Sequence, residues 1–458
     1  MTQVCEADAL ILFGITGDLA RKKLFAALYD LTAAGRLDIP VIGVASRAWD
    51  DETLRRQAYA ALEESGRSID GTVFSRLASN LTYVSGNYQD PSTFERIAER
   101  AGNSACTVSY LAIPPGLFEE VVEGLASVGL NRSGRLVLEK PFGRDLRSAQ
   151  ELNDIVQRHF PEERVYRIDH FLGKEAVQNL MIFRFSNTVL EPIWNRHYVR
   201  GVQITMAEDF GVEGRGSFYD RVGTVRDVVQ NHLLQVLALL AMEPPVSESP
   251  DALRDERVKA LRAVVTPKPD DVVRGQYVGY RDEPGVADDS DTETYAALRL
   301  EVDSWRWAGV PWLIRAGKGL KSTVTEAIVE FVRPPRPLFA DAECRPGPNR
   351  MIFRTKPDDG ISFWMQAKKP GPAMVSQPIE LHLQHDRPAG RDAYDRLLGD
   401  ALRGDASLFA RLDGVMEAWR VVDETLSGCR PVIPYPRGTW GPSEADALLR
   451  PDWSWINR

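Results

Sequence analysis

Three short segments of this 458-residue chain concentrate side chains able to move a proton or hold a phosphate. RIDHFLGKE sets Asp169 beside His170, with Lys174 four residues beyond. If the stretch is helical, His170 and Lys174 share a face one turn apart, and two cationic donors there would clamp a phosphate. Asp169 would point elsewhere, free to orient a second base, though it equally suits the N-cap of a helix. In RDVVQNHLLQVLALLAM, Asp227 and His232 lie on or beside the apolar stripe of Val228, Val229, Leu233, Val236 and Leu237. His232 is either a base or a core histidine with a satisfied ring, and local spacing does not separate the two. In RLVLEKPFG, Lys140 follows a strand-like run, at the edge where parallel sheets bind ligands. It could serve a sugar hydroxyl and a nicotinamide, with a cis bond to Pro141 to fix it, or merely end a strand at the surface.

These residues need elements to hold them. ADALILFG, PVIGVAS, LTYVSG, TVSYLAI, RLVLEK and VYRIDH read as strands. Helical patterns such as DLARKKLFAALYDLTAAG, DDETLRRQAYAALEES, PGLFEEVVEGLASVGL and SAQELNDIVQRHF alternate with them, implying βαβ units and a parallel sheet. Gly14 and Gly17 sit where the first strand turns into the first helix, a place where backbone N–H groups and the helix dipole receive a phosphate. The spacing is neither GxGxxG nor a P-loop, and a plain strand-to-helix turn has the same look. The second strand ends at Ser46-Arg47 with no acid, which favours the 2′-phosphate of NADP over the free ribose of NAD, unless Arg47 is an ordinary surface cation.

Past residue 170 the texture changes. VQNLMIFRFSN reads as a helix, HYVRGVQITMAED as a strand and DRVGTVRDVVQNHLLQVLALLAM as one long helix. TYAALRLEV, SWRWAGVPWLIRAG, EAIVEFVR, RMIFRTK, GISFWMQAK and IELHLQ follow as strands without crossover helices, the mark of a largely antiparallel sheet. Helical patterns return in RDAYDRLLGDALRGDASLFARLDGVMEAWRVVDETL. The expected fold is α/β: a nucleotide-type domain followed by a larger α+β domain.

Composition narrows the partners. Lys+Arg total 56 against Asp+Glu 65, a net charge of -9, which argues against nucleic acid and anionic membranes but leaves room for small anions. No apolar run approaches the ~18–20 residues of a membrane span. The start, MTQVCEADALILFG, lacks the basic region and cleavage site of a signal peptide, so a cytoplasmic location is expected. Cys5, Cys106, Cys344 and Cys429 are scattered, with no CxxC pair and no histidine cluster; reduced thiols and no metal are expected.

FGITGDLARKKL, EKPFGRDLRSA, RIDHFLGKE, AEDFGVEGRG, RDVVQNHLLQ and SWRWAGVPWLIRAGKGL occur in the order found in the glucose-6-phosphate dehydrogenase family. The chain resembles that family over nearly its whole length, including RGDASLFARLDGVMEAW. The resemblance implies oxidation of β-D-glucose 6-phosphate to the 6-phosphogluconolactone with reduction of NADP, the chemistry of the oxidative pentose phosphate pathway, and NAD as a second acceptor. It implies a Rossmann-like NADP-binding domain over residues 1–176 and an α+β substrate and dimerisation domain over 177–458, in a homodimer or homotetramer. His232 stands where the family has its catalytic base and Asp169 where it has that base's carboxylate partner. His170 and Lys174 match the phosphate ligands, Glu208 and Asp227 the acids that bind sugar hydroxyls, and Lys140 and Lys318 lysines near the substrate. Gly14, Thr16, Gly17, Asp18 and Leu19 match the cofactor loop; Arg47, Asn87, Tyr88 and Lys140 complete the expected cofactor set. Hydride leaves C1 as the C1 hydroxyl loses its proton, so a positioned base is needed, and the remote phosphate is a handle that holds C1 in place.

The chain departs from the family pattern at four places. The tyrosine usual after the RIDH histidine is Phe171, and the basic residue usual five positions past Lys318 is Thr323, with Lys321 nearby. Lys356 replaces a glutamine and either adds a cation to the sugar-phosphate site or faces solvent. Ser46 stands where many members carry a first 2′-phosphate arginine. These changes bear on substrate affinity and NADP preference. Two rival readings are an oxidoreductase of an unphosphorylated sugar, opposed by His170 and Lys174, and a non-catalytic regulatory homologue, opposed by Asp169, Lys140 and His232.

Overall fold

The computed structural model describes residues 6–336, 338–339, 347–383, 393–427 and 431–457. Two compact units emerge. One comprises Met1–Lys174, Val246–Arg254 and Pro388–Met416; the other comprises Glu175–Pro245, Asp255–Arg387 and Glu417–Arg458. The chain thus comes back twice to the first unit, a connectivity that no change of texture along the sequence announces.

In the first unit, β1 (Ala9–Phe13), β2 (Val41–Ala45), β3 (Leu81–Ser85), β4 (Thr107–Leu111), β5 (Arg135–Leu138) and β6 (Val165–Arg167) form a six-stranded sheet in the order β3-β2-β1-β4-β5-β6. Every pairing is parallel. The strands are nearly continuous apolar runs because helices cover both faces of such a sheet. Ile11, Phe13, Ile42, Val44, Leu111 and Leu138 pack there with Phe94, Val121 and Val156, each contributing about 1.5–3 kcal/mol by burial. The order reverses between β1 and β4, and that switch point opens a crevice at the strands' carboxyl ends.

A wide π-type stretch, Ala20–Leu24, leads into α1 (Phe25–Ala33), followed by α2 (Asp51–Glu64), α3 (Gly71–Asn80), α4 (Pro91–Ala101), α5 (Phe118–Ser127) and α6 (Leu146–Gln157). Helices α3 and α4 are additions to the elements expected from sequence. Their signals were there: Asp70 caps α3, and Asp90 caps α4 with Pro91 at its first position.

The second unit holds α7 (Glu175–Phe185), α8 (Gly216–Thr224) and α9 (Leu234–Ala241), and a nine-stranded sheet. Its strands are β7 (Val199–Ala207), β8 (Val272–Tyr277), β9 (Tyr295–Glu301), β10 (Pro311–Gly317), β11 (Val324–Phe331), β12 (Arg350–Lys356), β13 (Gly360–Lys368), β14 (Ser376–Leu383) and β15 (Ile433–Tyr435), in the order β14-β13-β12-β11-β7-β10-β9-β8-β15. The sheet is antiparallel except where β10 meets β7 and β15 meets β8. Helices α10 (Pro250–Arg262) and α12 (Leu412–Ser427) each begin in the first unit and end in the second, while α11 (Ala393–Arg403) lies in the first.

Four local expectations are corrected. The long helix through residue 232 is broken: Gly223 at φ 70° ends α8, and a π-type segment, Val225–Leu233, separates it from α9. SWRWAGVPWLIRAG is a strand only from Pro311, because Gly309 at φ 81° turns the chain and Trp307 is buried with its indole N–H on the Ala241 carbonyl at 2.7 Å. RIDHFLGKE is a compact turn, with α7 starting at Glu175. Cys106, at the buried start of β4, is disulfide-bonded and not a free thiol; Cys5, Cys344 and Cys429 lie outside the described residues.

Candidate active site

The loop expected to hold a phosphate follows β1 at the switch point. Gly14 has φ 77°, and a Cβ there would lie 2.2 Å from the Ala112 carbonyl oxygen at the end of β4. Glycine is therefore demanded first by the packing of the loop on the neighbouring strand. The Gly14 N–H donates to Val44 O at 2.8 Å and to the Tyr88 hydroxyl at 3.1 Å, and that hydroxyl donates to Val44 O at 3.2 Å. Tyr88 thus ties the loop to the end of β2. Asn87 is exposed, with its side chain accepting from the Gln89 N–H at 3.2 Å.

Thr16 and Leu19 are half-buried, whereas Gly17 and Asp18 are exposed. No side chain caps the first turn after Leu19, whereas Asp50, Asp70, Asp90 and Asp145 cap α2, α3, α4 and α6. A loop whose helix start has no side-chain cap suits an anionic phosphate, which supplies the missing acceptor. Arg47 is exposed just past β2, its guanidinium 5.8 Å from the Trp49 ring and its carbonyl receiving the Tyr83 and Ser85 hydroxyls. The backbone there is tied down and the side chain faces solvent beside Ser46.

His170 and Lys174, the expected clamp residues, lie past the carboxyl end of β6, in the same unit. The turn is closed by Leu172 N–H to Asp169 O and Lys174 N–H to Phe171 O, both 3.0 Å, and the Asp169 carboxylate accepts the Phe171 N–H at 3.0 Å. Asp169 is therefore a cap, but of a turn rather than a helix. Lys174 Nζ stands 3.6 Å from the centroid of the buried Phe171 ring. Gly173 allows α11 to come close, since a Cβ there would be 2.9 Å from Ala393 O. Tyr394 of α11 holds its ring parallel to His170 (interplanar angle 10°, centroids 6.4 Å apart).

Lys140 follows the end of β5 through Glu139, and its bond to Pro141 is cis. Glu139 is buried, receives the Tyr110 hydroxyl at 2.5 Å and is hydrogen-bonded by Tyr394. Burial pushes its carboxyl up to about 7, against the opposing hydrogen bond from Tyr110 and the charge of Lys140.

The other expected residues belong to the second unit. His232 is buried in the π-type segment, and Asp227 is half-buried five residues earlier. In an α-helix residues five apart diverge by about 140°, and the wider winding of i→i+5 bonding narrows that divergence between Asp227 and His232. Glu293 anchors its start: the carboxylate accepts the Val225 N–H at 3.0 Å and pairs with Arg274 at 3.0 Å, both side chains being buried. Glu208, just past β7, pairs with Lys318, just past β10, at 2.5 Å. Lys318 is buried, 5.2 Å from the rings of Phe210 and Tyr219. Burial, followed by the charge of Asp227, raises the Tyr219 phenol well above its ordinary range. Thr323 bonds Asp209 at 2.5 Å, Lys321 is exposed, and Lys356 is exposed at the end of β12.

Sequence reasoning passed over Tyr110, Glu139, Tyr394, Tyr219 and Glu293. An acid immediately before the strand-end lysine in VLEKP was a visible signal for Glu139; the others carry no local mark.

Residues 11–179 match the family model described as the glucose-6-phosphate dehydrogenase NAD binding domain, and residues 181–456 match that of the glucose-6-phosphate dehydrogenase C-terminal domain. The chain is 45% identical over 455 residues to glucose-6-phosphate 1-dehydrogenase 1 of Mycobacterium tuberculosis, covering 98% of this chain and 96% of that one. It is 38% identical over 470 residues to glucose-6-phosphate 1-dehydrogenase 5, cytoplasmic, of Arabidopsis thaliana, covering 96% and 90%. The crystal structure of the Mycobacterium avium glucose-6-phosphate 1-dehydrogenase is similar with a TM-score of 0.92 at 44% identity over 99% of both chains. A glucose-6-phosphate dehydrogenase in complex with its substrate glucose-6-phosphate gives 0.90 at 35% identity over 98% of both.

Proposed function

The chain belongs to the glucose-6-phosphate dehydrogenase family, and on that premise we propose that it works with NADP and with His232 as its base. It is an oxidoreductase that dehydrogenates glucose 6-phosphate on a nicotinamide dinucleotide. When bound, the nicotinamide accepts the hydride from C1 of the sugar. The loop at Gly14–Leu19 would hold the pyrophosphate, Arg47 the 2′-phosphate, and Lys140, at the strand edge, would serve both the nicotinamide and a sugar hydroxyl. Tyr88 acts through the loop that it props, and Asn87 lies exposed beside it.

His232 takes the proton of the C1 hydroxyl, and Asp169 balances the imidazolium that results. His170 and Lys174 hold the phosphate, so that binding energy from a group remote from C1 fixes the reacting carbon. Glu208 and Asp227 receive sugar hydroxyls; Lys318, paired with Glu208, aims that carboxylate. Lys356 sits at a strand end in solvent and reaches the sugar phosphate only as an outer cation. The observation that carries the reading is the clamp turn itself, a histidine and a lysine on a backbone turn capped by Asp169, with the Lys174 ammonium seated on the Phe171 ring.

The assay is parallel spectrophotometry with glucose 6-phosphate or glucose against NADP or NAD. NADP with glucose 6-phosphate should be the fastest pair, and NAD a weaker acceptor. Arg47→Ala should raise KM for NADP about tenfold, the loss of one charge-assisted contact, with KM for NAD little changed; equal effects on both would remove Arg47 from the 2′-phosphate. His232→Asn should lower kcat by roughly 10²–10⁴ with substrate binding retained, and near-normal turnover would place the base elsewhere.

A homodimer or homotetramer is proposed with the outer strands of the large sheet as contact, because Met365, Leu381 and Leu383 are exposed on β13 and β14; light scattering reads the mass. Among the described residues no helix is long and apolar enough to cross a membrane. The cytoplasm is the proposed location, as in the name of the plant relative, with the bonded Cys106 the observation that runs against a reducing compartment.

A further inference from the structure

Glu139 is a buried carboxyl that the mechanism above does not use. It stands where β5 ends, one residue before Lys140, with Tyr110 of β4 and Tyr394 of α11 both hydrogen-bonded to it. Tyr394 lies in the first turn of α11, whose start rests on Gly173 inside the clamp turn, and its ring runs parallel to His170. One carboxyl therefore joins the strand end that carries Lys140 to the helix that backs His170 and Lys174.

We propose that Glu139 is a positioning residue that, in its ionised form, locks Tyr394 and through it the His170–Lys174 clamp in the geometry that holds the sugar phosphate. The proposal rests on the reading of His170 and Lys174 as phosphate ligands. Ionised, the carboxylate is an acceptor only and suits two phenolic donors. Protonated, it bears a hydrogen on one oxygen, and a phenol facing that oxygen must turn from donor to acceptor, loosening the ring behind His170. The charged and titratable groups around Glu139 are Tyr110 on β4, Tyr394 on α11 and Lys140 beside it on the chain. Lys140 opposes protonation by its charge, while burial favours it, so the switch falls near neutral pH.

The test is steady-state kinetics of the full chain with glucose 6-phosphate from pH 6 to 8.5. Glutamine cannot ionise, so Glu139→Gln should raise KM for glucose 6-phosphate about fivefold over wild type at pH 8.5, the order of one lost hydrogen bond. That ratio should shrink toward one at pH 6, where the wild-type carboxyl is itself protonated; taking the ratio cancels the ionisation of the substrate. The drop in kcat should be smaller than the rise in KM. Tyr394→Phe, which keeps the ring and loses the hydroxyl, should raise KM similarly, and the double variant should be no worse than either single one. A KM ratio that is flat across pH, or additive effects in the double variant, overturns the proposal. His170→Asn is measured alongside: if it leaves KM for glucose 6-phosphate unchanged, the clamp reading fails and the brace with it, whereas a raised KM there with a flat Glu139 ratio removes the brace alone.

Discussion

At the scale of single residues, Phe171 shows how a departure from the family pattern is absorbed. Phenylalanine and tyrosine share the ring face, and that face seats Lys174 at 3.6 Å; what the chain lacks is a hydroxyl, not the seat. A cation over an aromatic face is worth about 0.5–2 kcal/mol. Phe171→Leu should therefore raise KM for glucose 6-phosphate roughly two- to thirtyfold while kcat changes little. An unchanged KM would mean that Lys174 is positioned by other contacts. The same residue scale explains Gly14, which the sequence marked for phosphate access but which the fold requires for its approach to Ala112. Both reasons select glycine, and only coordinates separate them.

At the scale of elements, the segment carrying His232 departs most from expectation. Apolar spacing marked it correctly as helical with a buried face, yet periodicity cannot tell 3.6 residues per turn from a locally wider winding. The start of that segment depends on Glu293, some seventy positions away in sequence, and on Gly223, where a Cβ would meet the Glu293 carboxylate at 2.5 Å. Glu293→Ala takes the carboxylate partner from the buried Arg274 guanidinium and the acceptor from the Val225 N–H, and removing one partner of a buried pair costs about 3–5 kcal/mol. Thermal denaturation should show a clearly lowered Tm together with lost turnover. Glu293→Gln, which keeps an acceptor for Val225, should fall between; a wild-type Tm in the alanine variant would show that the segment holds itself.

At the scale of the whole molecule, the buried acid leaves a thermodynamic trace. The folded carboxyl of Glu139 titrates near 7, above the ordinary 4.5 it regains on unfolding. Between those values the folded state holds a proton that the unfolded chain has released, so this group's contribution falls as pH rises through the window, by about 3 kcal/mol in full. Glu139→Gln removes that dependence, and its urea midpoint should gain on wild type between pH 5 and pH 8. Parallel midpoints would show that the carboxyl titrates normally. The net charge of -9 coexists with anionic ligands: cations are gathered locally on the clamp turn, the strand ends and one helix start, while the acidic remainder disfavours polyanions. The sequence by itself determined the parallel sheet, the mostly antiparallel second sheet and the residue types of the proposed phosphate loop and clamp, because periodicity, turn residues and short motifs are local and fixed by neighbouring positions. Only the tertiary structure decided that Tyr88 is a prop, that Glu139 meets Tyr110 and Tyr394, and that Glu293 caps the segment of His232. Those contacts join residues from about 30 to 255 positions apart, and no local pattern encodes a partner that packing alone brings into reach.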